Sequence, residues 1–292
     1  MKKIDFIIIG AQKAGSTFLY NLLQQHPEIE MPKSEITFFQ EPDFSNIKNL
    51  DKEIEDLFRT KKLRGIKRPN YLGQPESPSL IENYGDGKIK LLVVLRDPVE
   101  RFISAYFHLI SMSWISPFFI NRKINKILFK NYEQPVRKNL IEYGLYAKYC
   151  EKYIKTISND NMLILDFNFL TKEPQKALDI VTNFLNIEKF TLNKSQVPKP
   201  VNVGAKTHLE LTRRYLVSRL SYKFDREIQR LYVKESKTYI NIMIIKFVNK
   251  IFGKMIKILK PKNIVIKDKT QEKIRMRYLE DQKSLKSFKI IK

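Results

Sequence analysis

Near the start of the chain a β-branched run, Ile4-Asp5-Phe6-Ile7-Ile8-Ile9, breaks at Gly10, and a helical pattern begins at Ser16-Thr17. That succession constrains the fold more than any other stretch. Apart from Asp5 the run is apolar at consecutive positions, as in a strand covered on both faces. Phe18, Leu19, Leu22 and Leu23 then recur at helical spacing. A strand feeding a helix through a short loop belongs to a parallel sheet with helices packed against it.

Two later runs repeat the pattern. Lys90–Leu95 (KLLVVL) stops at Arg96-Asp97-Pro98, and Phe102, Ile103, Tyr106, Phe107 and Ile110 then mark a helix with Pro98 near its first turn. Met162–Phe167 (MLILDF) precedes a helix opened by Pro174 and carried by Ala177, Leu178, Val181 and Leu185. Leu145–Ile157 reads as an amphipathic helix, residues 41–64 as charged and weakly helical, and residues 111–135 as an irregular insertion. The expected fold class is α/β: a P-loop-like parallel β-sheet of five strands or a similar number, flanked by helices, with a helical basic C-terminal portion.

The charge is lopsided. The chain carries a formal +23, from 54 Lys and Arg against 31 Asp and Glu over 292 residues. Residues 201–292 alone hold 24 basic against 8 acidic residues. Such an excess points to anionic partners, or to a solvated lysine-rich surface. Tyr239–Lys260 places Lys246, Lys250, Lys254, Lys257 and Lys260 at steps of three and four, with apolar residues on the remaining faces. It reads either as a helix lying on an anionic membrane or as a core-packing helix with a lysine-lined solvent side. One cysteine, Cys150, excludes a disulfide scaffold, and three scattered histidines, His26, His108 and His208, argue against a zinc or di-metal enzyme. No signal peptide or membrane-spanning run is read, so the expected location is cytoplasmic, with peripheral membrane contact left open.

Gly10-Ala11-Gln12-Lys13-Ala14-Gly15-Ser16-Thr17 sits where the strand turns into the helix. Its glycines allow close backbone approach, and helix-start N–H groups with Ser16 and Thr17 hydroxyls favour a phosphate-like anion. The spacing nearly matches the nucleotide-binding G-x-x-x-x-G-K-[ST] loop, but the lysine, Lys13, precedes the second glycine. A bland βα turn is the alternative. Arg96 leaves the end of the next apolar strand, where open α/β sheets bind ligands, and Ser104 lies two turns into the following helix. Arg96 could equally pair with Asp97 or Glu100.

Together these segments resemble the sulfotransferases that use 3′-phosphoadenosine 5′-phosphosulfate (PAPS), particularly relatives of the heparan sulfate enzymes. Ile8–Thr17 looks like the family's 5′-phosphosulfate loop, and Leu95-Arg96-Asp97-Pro98 through Arg101 to Ser104-Ala105-Tyr106 like its 3′-phosphate motif. Pro32–Phe39 resembles the segment with a catalytic glutamate, here Glu35, and Lys67–Leu72 the segment with a second active-site lysine, here Lys67. Thr37 stands where the glycan enzymes often have His or Gln, Ile66 replaces a usual Glu, and Arg68 replaces a small hydroxyl residue. Asn202–Lys206 is the nearest candidate for a late donor-contact element.

The resemblance implies one sulfotransferase domain over 1–292, with a nucleotide-binding core at 1–200 and 201–292 as its helical extension. It implies PAPS as co-substrate, bound by Gln12, Lys13, Ala14, Gly15, Ser16, Thr17, Arg96 and Ser104, and 3′-phosphoadenosine 5′-phosphate as product. Catalysis would fall to Glu35 as general base with Lys13 and Lys67 as cations, with no metal and with a carbohydrate or glycolipid acceptor. His108 is the rival base, and Trp114 either stacks on a sugar or is buried. Two other readings remain: a P-loop kinase or NTPase using ATP and magnesium through Asp166, and a non-enzymatic protein that binds anionic surfaces. No base-reading motif is present, so nucleic acid is not an expected partner.

Overall fold

The computed structural model describes residues 4–60, 62–129, 134–193, 195, 197, 198, 205, 207–225, 230–233 and 239–292. Among these the strands are β1 (Phe6–Gly10), β2 (Ile29–Glu30), β3 (Leu63–Lys67), β4 (Lys90–Leu95), β5 (Met162–Asp166), β6 (Tyr222–Asp225), β7 (Arg230–Val233) and β8 (Ile290–Ile291). Six of them form one sheet in the order β2-β3-β1-β4-β5-β8, each neighbouring pair parallel. The α/β architecture expected from the apolar runs is the one observed, with six strands.

The continuous apolar runs follow from burial on both faces. Successive strand side chains point to opposite sides. Ile7, Ile9, Leu91, Val93, Leu95 and Ile164 join one core with Ile66, Tyr71, Tyr146 and Tyr153. Phe6, Ile8, Leu92, Val94 and Leu165 join the other, with Leu19, Leu22, Leu178 and Val181. The β3 strand (LRGIK) escapes an apolar-run reading because it carries Arg64, Gly65 and Lys67. Gly65 is required there: a Cβ would run into the Phe6 ring of the neighbouring strand.

The chain resolves into two compact units, residues 1–97, 143–201 and 280–292 in the first, and 98–142 and 202–279 in the second. The sheet belongs to the first. Asp281 accepts the backbone N–H groups of Ala147 (3.1 Å) and Lys148 (3.0 Å) and so caps the helix Tyr146–Thr156. Burial raises its carboxyl pKa.

The second unit holds the helices Pro98–Ser111, Ile120–Phe129, Gln134–Leu140, His208–Ser221 and Tyr239–Leu259, and the antiparallel hairpin β6–β7. Within the stretch 111–135, expected to be irregular throughout, residues 112–119 are turns and bends but Ile120–Phe129 is a helix. Ile120, Ile124, Ile127 and Leu128 bury one stripe of the helix Ile120–Phe129, at the i, i+4, i+7, i+8 spacing of an amphipathic helix. The stripe is short and its flanks are basic, which hid the period. Arg101 is fully buried in this unit. It donates to the carbonyls of Asn139, at 2.9 Å, and Leu140, and the Tyr278 hydroxyl donates to the same Leu140 carbonyl at 2.7 Å.

Candidate functional site

Parallel pairing brings the ends of β1, β3, β4 and β5 to one edge of the sheet. Lys67 pairs with Ile8 across β3 and β1, and Asp166 with Leu95 across β5 and β4. The loop after β1 adopts two left-handed backbone positions, Lys13 at φ 62° and Gly15 at φ 104°. At Gly15 any side chain is excluded twice over, because a Cβ would also stand 2.7 Å from Cδ2 of Phe167. Gly15 is the N-cap of the helix Ser16–Leu23 and brings no side-chain cap. The helix start therefore faces the loop with backbone N–H groups and its positive dipole end, the arrangement that favours an anion. Ala14 and Ser16 are buried, and Gln12, Lys13 and Thr17 are half-buried. The Gln12 amide donates to Asn70 Oδ1 at 3.3 Å.

Lys67 ends β3 nearly buried, and three neighbours compensate its charge. Its Nζ donates to Thr17 Oγ1 at 3.3 Å, pairs with Glu35 Oε1 at 3.4 Å, and stands 5.0 Å from the Tyr20 ring centroid. Burying an ammonium without such partners would be costly. Glu35 is held from the other side by Arg68, whose Nη1 donates to Oε2 at 3.0 Å and whose Nε donates to the buried Gln40 at 2.9 Å. The Glu35 side chain keeps 38% exposure, which leaves it reachable from solvent. Ile36 N donates to the Lys67 carbonyl at 3.2 Å, and the Tyr20 hydroxyl donates to Pro32 O at 2.8 Å. These bonds fix the Glu35 segment against both β3 and the loop helix. Burial raises the Tyr20 hydroxyl pKa, so it remains a neutral donor.

Arg96 follows β4 and lays its guanidinium over Phe167, 4.6 Å from the ring centroid. Asp166 Oδ1 accepts Asn168 N at 2.8 Å and Phe169 N at 3.1 Å, capping the helix Phe167–Lys172. The first unit thus carries Gln12–Thr17, Glu35, Lys67 and Arg96. Ser104 lies half-buried on the helix Pro98–Ser111 of the second unit, as does His108. Trp114 is half-buried in the second unit. Of the late element 202–206, only Ala205 falls within the described residues. Among the described residues no group of three or more His, Cys, Asp or Glu is placed to hold a metal ion.

Sequence reasoning did not single out Gln40, Tyr20, Asn70 or Phe167, and it registered Arg68 only as a departure. Arg68 adjoins Lys67 in the same segment, which was the available signal. The others reach the site through contacts distant along the chain.

Fold and edge together define a class: a P-loop-like α/β protein with a strand–loop–helix anion cradle and a lysine–carboxylate pair beside it. The chain belongs to the family described as the sulfotransferase domain, which its residues 3–260 match. It is 31% identical over 193 residues to the heparan sulfate glucosamine 3-O-sulfotransferase 3B1 of Mus musculus, covering 64% of this chain and 47% of that protein. It is 28% identical over 195 residues to the bifunctional heparan sulfate N-deacetylase/N-sulfotransferase 4 of Mus musculus, covering 62% of this chain and 22% of that protein. The matched stretch is thus less than half of either relative. The crystal structure of a sulfotransferase from Alicyclobacillus acidocaldarius shares the fold, with a TM-score of 0.57 at 22% identity over 75% of this chain and 92% of that one.

Proposed function

We propose that this chain transfers a sulfuryl group from 3′-phosphoadenosine 5′-phosphosulfate to a hydroxyl or amine of a carbohydrate. The observation that carries the reading is Lys67, held between the Thr17 hydroxyl of the loop and the Glu35 carboxylate. One ammonium thereby links the anion cradle to a candidate base.

The donor is a substrate with two anionic ends. Backbone N–H groups at the start of the helix Ser16–Leu23, with the Ser16 and Thr17 hydroxyls, suit its 5′-phosphosulfate. Arg96, levelled on Phe167, suits its 3′-phosphate. In the reaction an acceptor oxygen or nitrogen forms a bond to sulfur in line with the breaking bond from sulfur to the 5′-phosphate oxygen. The electron pair of that bond leaves with 3′-phosphoadenosine 5′-phosphate, and the acceptor proton passes to Glu35. Lys13 and Lys67 neutralise charge that grows on the sulfuryl and bridging oxygens. Glu35 uses one lone pair of each carboxylate oxygen on its two cations and retains others for the acceptor proton.

The ATP-and-magnesium reading is weaker because the loop lysine, Lys13, precedes Gly15, where a nucleotide-binding loop carries its lysine directly after the second glycine. A carbohydrate acceptor is supported by the relatives, whose names specify heparan sulfate. The test supplies sulfur-labelled PAPS with separated glycans, glycolipids and small phenols. Label should enter a carbohydrate-bearing fraction and be lost with Glu35→Gln. Label confined to phenols would overturn the acceptor. Absence of label, with no binding of 3′-phosphoadenosine 5′-phosphate, would overturn the reaction.

A further inference from the structure

The helix Tyr239–Leu259 runs for 21 residues and contains no Asp or Glu. One side packs along the helix His208–Ser221, where Asn249 Oδ1 accepts from Arg213 Nη1 at 2.6 Å and Ile245, Phe252 and Ile256 are half-buried. The opposite side is uncovered, and an apolar stripe runs along part of it. Ile244, Phe247, Ile251 and Ile258 follow at helical steps, with Phe247 64% and Ile258 66% exposed, and Met243 and Leu259 are exposed at the two ends. A large phenyl ring left in water in a row of isoleucines loses burial energy that a soluble surface does not replace.

The lysines are placed in relation to that stripe. Lys246, Lys250 and Lys257 each directly precede Phe247, Ile251 and Ile258, and Lys254 sits at the edge of the stripe itself, between Ile251 and Ile258 along the chain. At 3.6 residues per turn the first three lie about 100° round the helix from the stripe residues they precede, and Lys254 lies about 20–60° from Phe247, Ile251 and Ile258. All four are exposed. An apolar stripe edged by a single-sign cationic row fits a planar boundary that is greasy inside and anionic outside. The lysine stems can lie along the boundary with the ammonium groups turned outward. No described helix is long and apolar enough to cross a membrane. A second copy of the chain suits the face poorly, since a helix without an acid would meet another, in molecules of net charge +23.

We propose that Tyr239–Leu259 docks this protein in the plane of an anionic lipid surface, with Phe247, Ile251 and Ile258 in the acyl–headgroup boundary and Lys246, Lys250, Lys254 and Lys257 on headgroup phosphates. This goes beyond the transfer reaction and does not depend on the acceptor.

The test is sedimentation of the full chain with vesicles, read without any activity. Vesicles of phosphatidylcholine with one-third phosphatidylglycerol should pull the protein down, and pure phosphatidylcholine vesicles should bind at least about a hundred-fold more weakly, at roughly five-fold per lysine. Replacing the four lysines by Gln should weaken binding by a similar factor. Phe247→Ser with Ile251→Ser, both exposed and so compatible with folding, should weaken it at least about ten-fold. Equal binding to both vesicle types, or none to either, overturns the proposal, and this comparison needs no variant. Loss with the Gln variant but not the Ser variant would mean adhesion to any polyanion and also overturns it. A dimer in sedimentation velocity that the Ser variant dissolves, without vesicle binding, would assign the face to a second copy.

Discussion

Replacing Lys13 with glycine separates what its charge does from what its backbone does. Lys13 holds φ 62°, a left-handed conformation that costs an ordinary L-residue about 1–2 kcal/mol. Glycine relieves that cost, while its freer unfolded chain takes back about 0.5–1 kcal/mol. Lys13→Gly should therefore be as stable as Lys13→Ala or more stable by up to about 1.5 kcal/mol, a melting difference of no more than about 4 °C for a chain this long. Lys13→Ala keeps the Cβ and gains no such relief. On the proposed mechanism both variants lose a cation facing the transferred group. Removal of one stabilising donor of this kind lowers turnover about 10²–10³-fold. Thermal melts and initial rates of labelled sulfuryl transfer, with kcat and KM resolved, make the comparison. The proposed role predicts a fall chiefly in kcat for both variants, with Lys13→Gly melting at or above Lys13→Ala. It is refuted if Lys13→Gly stays within threefold of wild-type kcat, or if its melting point falls well below that of Lys13→Ala.

Arg96→Ala should weaken binding of 3′-phosphoadenosine 5′-phosphate about ten- to a hundred-fold in calorimetry, the worth of a charge-assisted contact, and unchanged affinity would remove Arg96 from the phosphate site. Glu210 accepts from Arg213 (2.8 and 2.9 Å) and Arg214 (2.8 Å), and the Arg213 hydrogen bond leads in lowering its pKa. A carboxylate with a lowered folded pKa adds stability that is complete above its unfolded pKa and is lost as pH falls through the folded value. Melts from pH 7 down to pH 3 should thus show a shallower acid loss for Glu210→Gln than for the wild type; parallel curves would contradict the pairing. Gly253 sits in the helix Tyr239–Leu259, and a Cβ there meets nothing within 4 Å. Gly253→Ala should raise stability by about 1 kcal/mol, and a chemical-denaturation midpoint that does not rise would show that the helix is not formed in the free protein.

The sequence carried the sheet wherever strands are buried on both faces, because Ile7–Ile9, Leu91–Leu95 and Ile164–Leu165 have no polar side to show. It hid β3, whose Arg64 and Lys67 are charged groups inside the sheet layer and whose Gly65 is dictated by a ring on another strand. The site was legible as an order of segments, since Lys13, Glu35, Lys67 and Arg96 each lie in a run with a recognisable local shape. Their neighbours were not. Arg68 reaches Glu35 across 33 positions and Gln40 across 28. Phe167 enters only because β5 lies beside β4. Contacts of that kind are properties of strand order, and nothing local in the chain encodes them. The face of Tyr239–Leu259 was visible as a pattern, but a pattern of lysines and isoleucines is the same whether its apolar side is packed or bare.

Phe167 touches two parts of the first unit at once. Its edge forbids a side chain at Gly15, and its face carries the Arg96 guanidinium. A single ring therefore works as a gauge block between the turn of the loop and the cation at the end of β4. The two cannot drift independently: a smaller residue at 167 would slacken the loop and drop the guanidinium in one step, and a larger one would spread both. Length discrimination between donors, by how far a second phosphate stands from the first, would then be inherited by whatever aromatic occupies that one position.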